Sequence, residues 1–218
     1  MCFSANASFG AGVVLAVIGI VSIKKVQHPS QIIFAGIPLL FCVQQVTEGF
    51  LWLALSGTDH AFMRQFTTYA FLFFAQVLWP ICIPLSILLL EKNKKRRLIL
   101  KVLLVTGALV SIYLGFCLFA YDVDAKIIGY HILYGQDYPA KPAFFTGALY
   151  IIASIVPAFV SSIKRMWWLG ATILISYLVT KIFYTVHIVS VWCFFASVIS
   201  IVIIAILHKI PGSPLRPV

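Results

Sequence analysis

Residues 31–55 read QIIFAGIPLLFCVQQVTEGFLWLAL, and Glu48 is the one side chain in this stretch that carries a full charge. About 20 helical residues cross the roughly 30 Å hydrocarbon core of a bilayer. A charged side chain in the middle of such a span costs about 2.5–3.5 kcal/mol on insertion scales, so it faces the interior of a helix bundle. The stretch therefore predicts a transmembrane helix that packs against other helices through a polar face.

The composition of the whole chain is that of a membrane protein. Of its 218 residues, 62% are hydrophobic and 10% are charged, whereas soluble domains are about half apolar and about a quarter charged. This excludes a soluble enzyme and a disordered chain. Working outward from residues 31–55, we find seven apolar segments of spanning length. They are residues 7–23, 31–55, 67–90, 98–120, 143–161, 167–184 and 188–207.

These segments predict helices, because a helix satisfies its own backbone hydrogen bonds in lipid. They are longer and less alternating than the roughly ten-residue strands of a transmembrane barrel. The predicted fold class is all-α, an integral membrane bundle of seven transmembrane helices. We expect residues 1–210 to form this single domain and residues 211–218 to form a flexible cytoplasmic tail.

Basic residues are distributed unevenly among the loops. Twelve of the sixteen Lys and Arg residues fall on one set of loops, chiefly in clusters at 92–97 and 164–165. Basic loops lie on the cytoplasmic side, which predicts a multi-pass membrane protein with its N-terminus outside and its C-terminus in the cytoplasm. The same clusters suit anionic lipid headgroups as partners. Because the net charge of +10 comes from these loops, we expect no nucleic-acid partner.

Two local patterns predict irregular backbone. Trp79-Pro80 and Pro84 predict a kink in the third span. The long connection 121–142 contains IIGYHILY, which is compatible with a short interfacial helix or with a pair of strands.

The polar residues of the second span share one side of the helix. Gln44 and Glu48 are four residues apart, Gln45 and Glu48 are three apart, and Trp52 follows one turn later. Two amides and a carboxylate on one stripe must point into the bundle.

A second polar stripe lies in the sixth span. Tyr177, Lys181 and Tyr184 are spaced four and three residues apart, and Gln76 of the third span lies at a similar depth. Together with Glu48 these residues predict a polar cavity in the outer half of the bundle. Three structural alternatives stay open: Glu48 and Lys181 form an ion pair, the glutamines bond helices together, or the long stem of Lys181 reaches outward.

Metal chemistry is a further possibility, but no catalytic residue can be assigned. Paired-histidine motifs such as HExxH are absent. Glu48, His131, His187 and Cys2 would have to converge through the fold, and two or three of them with water would suit zinc. Retinal is not expected, because the membrane lysine is in the sixth span and the third span has no carboxylate.

The opening Met-Cys-Phe-Ser-Ala and the Gln44-Gln45-x-x-Glu48-Gly49 segment resemble an uncharacterised bacterial family of multi-pass membrane proteins. The resemblance implies a multi-pass protein of the bacterial inner (plasma) membrane, and it implies no activity. From the residues themselves we expect a protein that binds or senses an unidentified small molecule at an outward-facing polar site. The alternatives are a membrane-embedded metal-dependent hydrolase and a proton-coupled small-molecule carrier, so whether the protein is an enzyme stays open.

Overall fold

A computed structural model describes residues 4–57 and 61–208 of the chain, and most of these residues are helical. The helices are α1 (Ala5–Lys24), α2 (Ile32–Ser56), α3 (Ala61–Leu72), α4 (Trp79–Leu90), α5 (Lys94–Ala120), α6 (Ala140–Val160), α7 (Met166–Phe183), α8 (Ile188–Phe194) and α9 (Ala196–Leu207). Two strands, β1 (Val123–Ile128) and β2 (His131–Gln136), lie between α5 and α6. The tail at 211–218 and Cys2 lie outside the described residues.

All seven predicted spans are largely helical. In the described part, six helical stretches are long and apolar enough to cross a membrane: Ala5–Lys24, Pro29–Ser56, Ala61–Leu90, Lys94–Ala120, Met166–Phe183 and Ile188–Leu207. The predicted fifth span corresponds to α6, whose apolar part, Phe144–Val160, is shorter. The all-α fold is therefore confirmed, with six to seven apolar helices that are compatible with a membrane bundle.

The bundle has two distinct ends. Helix α5 has 27 residues, so its ends lie about 40 Å apart. We call the end at the β1–β2 turn the hairpin end. The opposite end, which carries the clusters 92–97 and 164–165, is called the basic end.

The strand alternative for the long connection is the correct one. Strands β1 and β2 pair antiparallel, with Ile128 opposite His131. The two-residue turn between them begins at Gly129, whose φ of 61° is one that glycine adopts without strain. Inward-facing residues of both strands pack on the helix ends, and the rings of Tyr134 and Phe71 stack with centroids 4.9 Å apart.

The third span contains a π-helical segment directly before Trp79 and Pro80, where a kink was predicted. Phe73–Leu78 is wound as a π-helix between α3 and α4, a form that displaces carbonyls from their usual partners. Neighbouring helices supply replacement donors: Tyr150 Oη donates to the carbonyl of Ala75 at 2.6 Å, and Ser111 Oγ donates to that of Val77 at 2.7 Å. The widened turn is therefore stable inside the bundle.

Helices α4 and α5 cross at a glycine. A Cβ atom added to Gly107 would lie 1.9 Å from the carbonyl oxygen of Pro80. Pro84, four residues after Pro80, has no N–H to give that carbonyl. The absence of a side chain at Gly107 lets the two backbones approach closely beside this carbonyl.

The basic end is tied together by a buried carboxylate that the sequence analysis did not single out. Glu91 is 1% exposed, and its oxygens accept hydrogen bonds from Ser161 Oγ at 3.1 Å, Ser162 N at 2.6 Å and Asn93 N at 2.9 Å. A further bond comes from Ser162 Oγ. Glu91 thus joins the α4–α5 turn to the α6–α7 turn.

We expect Gly107→Ala to lower the thermal unfolding midpoint in mild detergent, because the new methyl group overlaps the Pro80 carbonyl. Overpacking of this kind costs about 1–3 kcal/mol. Gly115→Ala is the matched control, since its Cβ would lie 3.6 Å from Val77 Cγ2 and alanine favours helix by about 0.5–1 kcal/mol. Equal midpoints for the two variants would contradict the close crossing.

We expect Glu91 to stabilise the protein at neutral pH and to lose this effect in acid. Burial opposes ionisation, but the bonds from Ser162, Asn93 and Ser161 outweigh it and lower the pKa of Glu91 below 4.5. The contribution is present above the unfolded-state pKa and is lost as pH falls through the lower folded-state pKa. Glu91→Gln should therefore cost about 1–3 kcal/mol at pH 7.

The measurement is thermal unfolding of the wild type and of Glu91→Gln between pH 7 and pH 3. The difference between their midpoints should narrow toward the acid end. Asp122→Asn, at an exposed carboxylate, serves as the control and should leave the midpoint unchanged. A difference that stays constant with pH would refute the role of the ionised carboxylate.

Candidate functional site

A cavity of about 350 Å³ lies in the bundle beside the π-helical segment. Its walls come from the π-helical segment, α4, α6, α7 and α8, with contributions from neighbouring helices. Ligand pockets typically begin at about 300 Å³, so the cavity has room for a small molecule.

Aromatic rings form much of the cavity wall. Phe41 stacks on Trp79 with ring centroids 4.1 Å apart. Trp192 lies against two tyrosines, with centroids 6.0 Å from Tyr150 and 5.5 Å from Tyr177. Trp192 Nε1 also donates to Ser176 Oγ at 3.1 Å. Rings held by stacking and by hydrogen bonds give the cavity rigid apolar walls.

Three polar side chains interrupt this apolar lining. Ser154 is 3% exposed, and its Oγ has no hydrogen-bond partner among the described residues. Gln76 lines the cavity from the π-helical segment, and Lys181 lines it from near the end of α7. Lys181 is exposed, so it supplies a positive charge where the cavity approaches the surface.

Gln76 connects the cavity to the hairpin end. Its Nε2 donates to Gln136 Oε1 at 3.0 Å, and its Oε1 accepts from Tyr138 Oη at 3.0 Å. Burial raises the pKa of Tyr138 to about 12, so the phenol keeps the proton that it donates. The cavity wall and the hairpin are therefore coupled through one amide.

Gln44, Gln45 and Glu48 lie behind this wall rather than in it. All three are buried, as their shared stripe predicted. Glu48 Oε1 accepts from Ser190 Oγ at 2.8 Å, and Glu48 Oε2 accepts from Gln45 Nε2 at 3.4 Å. Gln44 Oε1 accepts from Trp79 Nε1 at 2.9 Å, which fixes a cavity-lining ring.

Lys181 does not form the ion pair with Glu48 that was one alternative. In residues 4–57 and 61–208 the ion pair is between Lys126 Nζ and Asp124 Oδ2, 2.6 Å apart. Lys181 instead reaches outward while touching the cavity. The predicted stripe is divided further, because Tyr177 lines the cavity whereas Tyr184 lies against His131 with centroids 5.3 Å apart.

The two histidines named as metal ligands lie next to each other at the hairpin end. The rings of His131 and His187 stack with centroids 4.9 Å apart. Burial and the neighbouring His187 lower the pKa of His131, so its imidazole is neutral at pH 7. Within the described residues, no group of three or more His, Cys, Asp or Glu side chains could hold a metal ion.

Trp52 belongs to a separate core under the hairpin. It is buried with Leu51, Phe71 and Ile132, and it does not line the cavity. Trp52 lies four residues after Glu48 and therefore shares its stripe on the helix. That extra helical turn carries Trp52 past the cavity and into the core at the hairpin end.

Several residues of the cavity escaped the sequence analysis. Tyr150, Ser154 and Trp192 are uncharged residues within apolar segments, where such residues are common in lipid-facing positions as well. Ser190 likewise gives no signal until its contact with Glu48 is known. The one available sign was the density of aromatic residues, 15% of the chain, which does not say which rings converge.

Comparison with known proteins yields one match. A family model described as "Family of unknown function (DUF6629)" matches residues 1–214. No curated protein and no solved structure matches the chain. The match is consistent with the resemblance to an uncharacterised family, and it assigns no activity.

Proposed function

Because the chain belongs to this family of unknown function, whose model matches residues 1–214, we propose its function from the site itself: the protein binds or senses a small amphipathic molecule in the intramembrane cavity. The observation that carries the proposal is the cavity of about 350 Å³ with aromatic walls and three polar groups. An apolar pocket with a few placed polar groups is the usual form of a small-molecule site.

The charge distribution supports an orientation for this site. The basic end carries the clusters 92–97 and 164–165, and basic loops stay in the cytoplasm. We propose that the protein spans the bacterial inner membrane with the hairpin end outside. Lys181 and Gln76 would then place the polar part of the cavity in the outer half of the bilayer, and the basic end would contact anionic lipid headgroups.

The geometry also supports a means of sensing. A molecule that contacts Gln76 would compete with or reinforce its bonds to Gln136 and Tyr138. Occupancy of the cavity would thereby change the stability of the hairpin, which packs on the helices at this end of the bundle.

We expect a bromine-labelled amphiphile, 11-bromoundecanol, to quench tryptophan fluorescence saturably in nanodiscs of zwitterionic lipid. The background variant carries Trp52→Phe, Trp167→Phe and Trp168→Phe, which leaves Trp79 and Trp192 as reporters in the cavity wall. Ser154→Phe fills the cavity, so the probe loses its space. The affinity for the probe, measured by the saturable quenching, should fall by at least about tenfold.

Val198→Phe is the control for Ser154→Phe. Val198 is exposed, so a phenylalanine there faces lipid and should leave the quenching of the background variant unchanged. Quenching that rises linearly with probe concentration, and equally in both variants, would show only partition into lipid and would refute binding in the cavity.

A second candidate function, a proton-coupled carrier, is favoured by one observation. Glu48 is fully buried, and its partner Ser190 directly follows Val189, which lines the cavity. A buried carboxylate beside a ligand site can exchange its proton when the site is occupied. The metal-dependent hydrolase has no comparable support in the described residues.

For the carrier we expect 11-bromoundecanol, a probe without an ionisable group, to change the internal pH of proteoliposomes loaded with a pH-sensitive dye. Glu48→Gln keeps the size and the acceptor oxygen for Ser190 but cannot release a proton, so it should abolish the signal. Ser190→Ala is the control, since it removes the hydrogen bond to Glu48 and keeps the carboxylate, so the signal should persist. No signal in the wild type would exclude coupling.

A further inference from the structure

Two of the described residues that line the cavity are exposed, Gly147 of α6 and Lys181 of α7. Because α6 and α7 are in contact, these two residues indicate an opening through the side of the bundle between the two helices. A Cβ atom added to Gly147 would meet nothing within 4 Å. The missing side chain therefore leaves a gap in the wall at this point, which we call the α6–α7 portal.

The surface around the portal is apolar. Phe144 and Phe145 are 77% and 70% exposed on α6, and Ile182 and Phe183 are 69% and 73% exposed on α7. In a soluble protein such an exposed apolar patch would favour aggregation, but in a bilayer these side chains contact hydrocarbon. The portal thus faces lipid, so a molecule that enters it comes from the membrane rather than from water.

The lining of the cavity specifies the charge of that molecule. No Asp or Glu is among the described residues that line the cavity, and Lys181 is the cation there. Lys181 lies at the rim, near the end of α7, whereas the aromatic rings lie deeper. A molecule with an anionic group at the rim and an apolar chain among the rings matches this arrangement. The volume of about 350 Å³ is at the small end for ligand pockets and favours one chain over two.

We propose that the α6–α7 portal admits a single-chain anionic amphiphile from the bilayer. Its carboxylate or phosphate lies at Lys181 Nζ, and its chain lies in the aromatic cavity with Ser154 Oγ available to a polar group within it. This inference rests on the proposed function, since it names the class of molecule that the cavity takes and the route by which it enters.

The charge preference is tested with two probes of equal chain length, 11-bromoundecanoic acid at pH 8 and 11-bromoundecanol, in the background that keeps Trp79 and Trp192. The acid should bind about fivefold more tightly than the alcohol. Lys181→Met should abolish this difference and leave the affinity for the alcohol unchanged. Lys126→Met removes an exposed cation that does not line the cavity and should preserve the preference.

The two probes separate the failure of this inference from that of the proposed function. If neither probe quenches saturably, the cavity does not bind amphiphiles and both proposals are refuted. If both bind equally in the wild type and in Lys181→Met, binding stands and the anionic class is refuted. A bromine-labelled lysophosphatidic acid that binds more tightly than the fatty acid would assign the anion to a lipid headgroup, and the reverse would assign it to a free carboxylate.

The route is tested by stopped-flow quenching with the acid. Gly147→Phe places a ring in the portal without a clash at its Cβ and should slow both association and dissociation by about tenfold. Gly10→Phe is the matched control, because Gly10 is also an exposed helical glycine with nothing within 4 Å of an added Cβ. Equal rates for the two variants would overturn the α6–α7 portal.

Discussion

Backbone hydrogen bonding in apolar surroundings is the constraint on which the rest of this structure depends. A carbonyl without a partner inside lipid costs several kcal/mol, so an irregular helix there needs donors from its neighbours. The π-helical segment Phe73–Leu78 has them in Tyr150 and Ser111. Because Tyr150 also forms part of the cavity wall, the residue that permits the irregular backbone is one that shapes the space beside it.

The polar residues within the bundle form two systems with different surroundings. Glu48, Gln45 and Ser190 are enclosed and bonded to one another, whereas Lys181 and Gln76 border an open space. Trp79 lies between them, with its ring in the cavity wall and its indole nitrogen bonded to Gln44. The enclosed system can therefore hold the wall in position, whereas the open system is the part that a molecule in the cavity would contact.

Much of the fold could be predicted from hydropathy, because each span must be apolar over its whole length. The site could be predicted only in part. The buried stripe of Gln44, Gln45 and Glu48 follows from helical spacing within one segment, but the convergence of Tyr150 and Trp192 depends on how α6 and α8 pack. The direction of Lys181 was open for the same reason, since a long side chain near a helix end can point either way. Glu91 was missed because it lies at a span boundary, where a carboxylate is unremarkable.

The π-helical segment also absorbs one extra residue within a single candidate span, Ala61–Leu90. A π-helical turn holds one residue more than an α-helical turn, so a single-residue deletion in Phe73–Leu78 would restore regular winding and leave α3 and α4 in nearly the same rotational phase. The deletion would remove the widened turn itself, and with it the position from which Gln76 bonds to Gln136 and Tyr138 and also borders the cavity. The extra residue thus sets Gln76 in the cavity wall while leaving the paths of the two flanking helices almost unchanged.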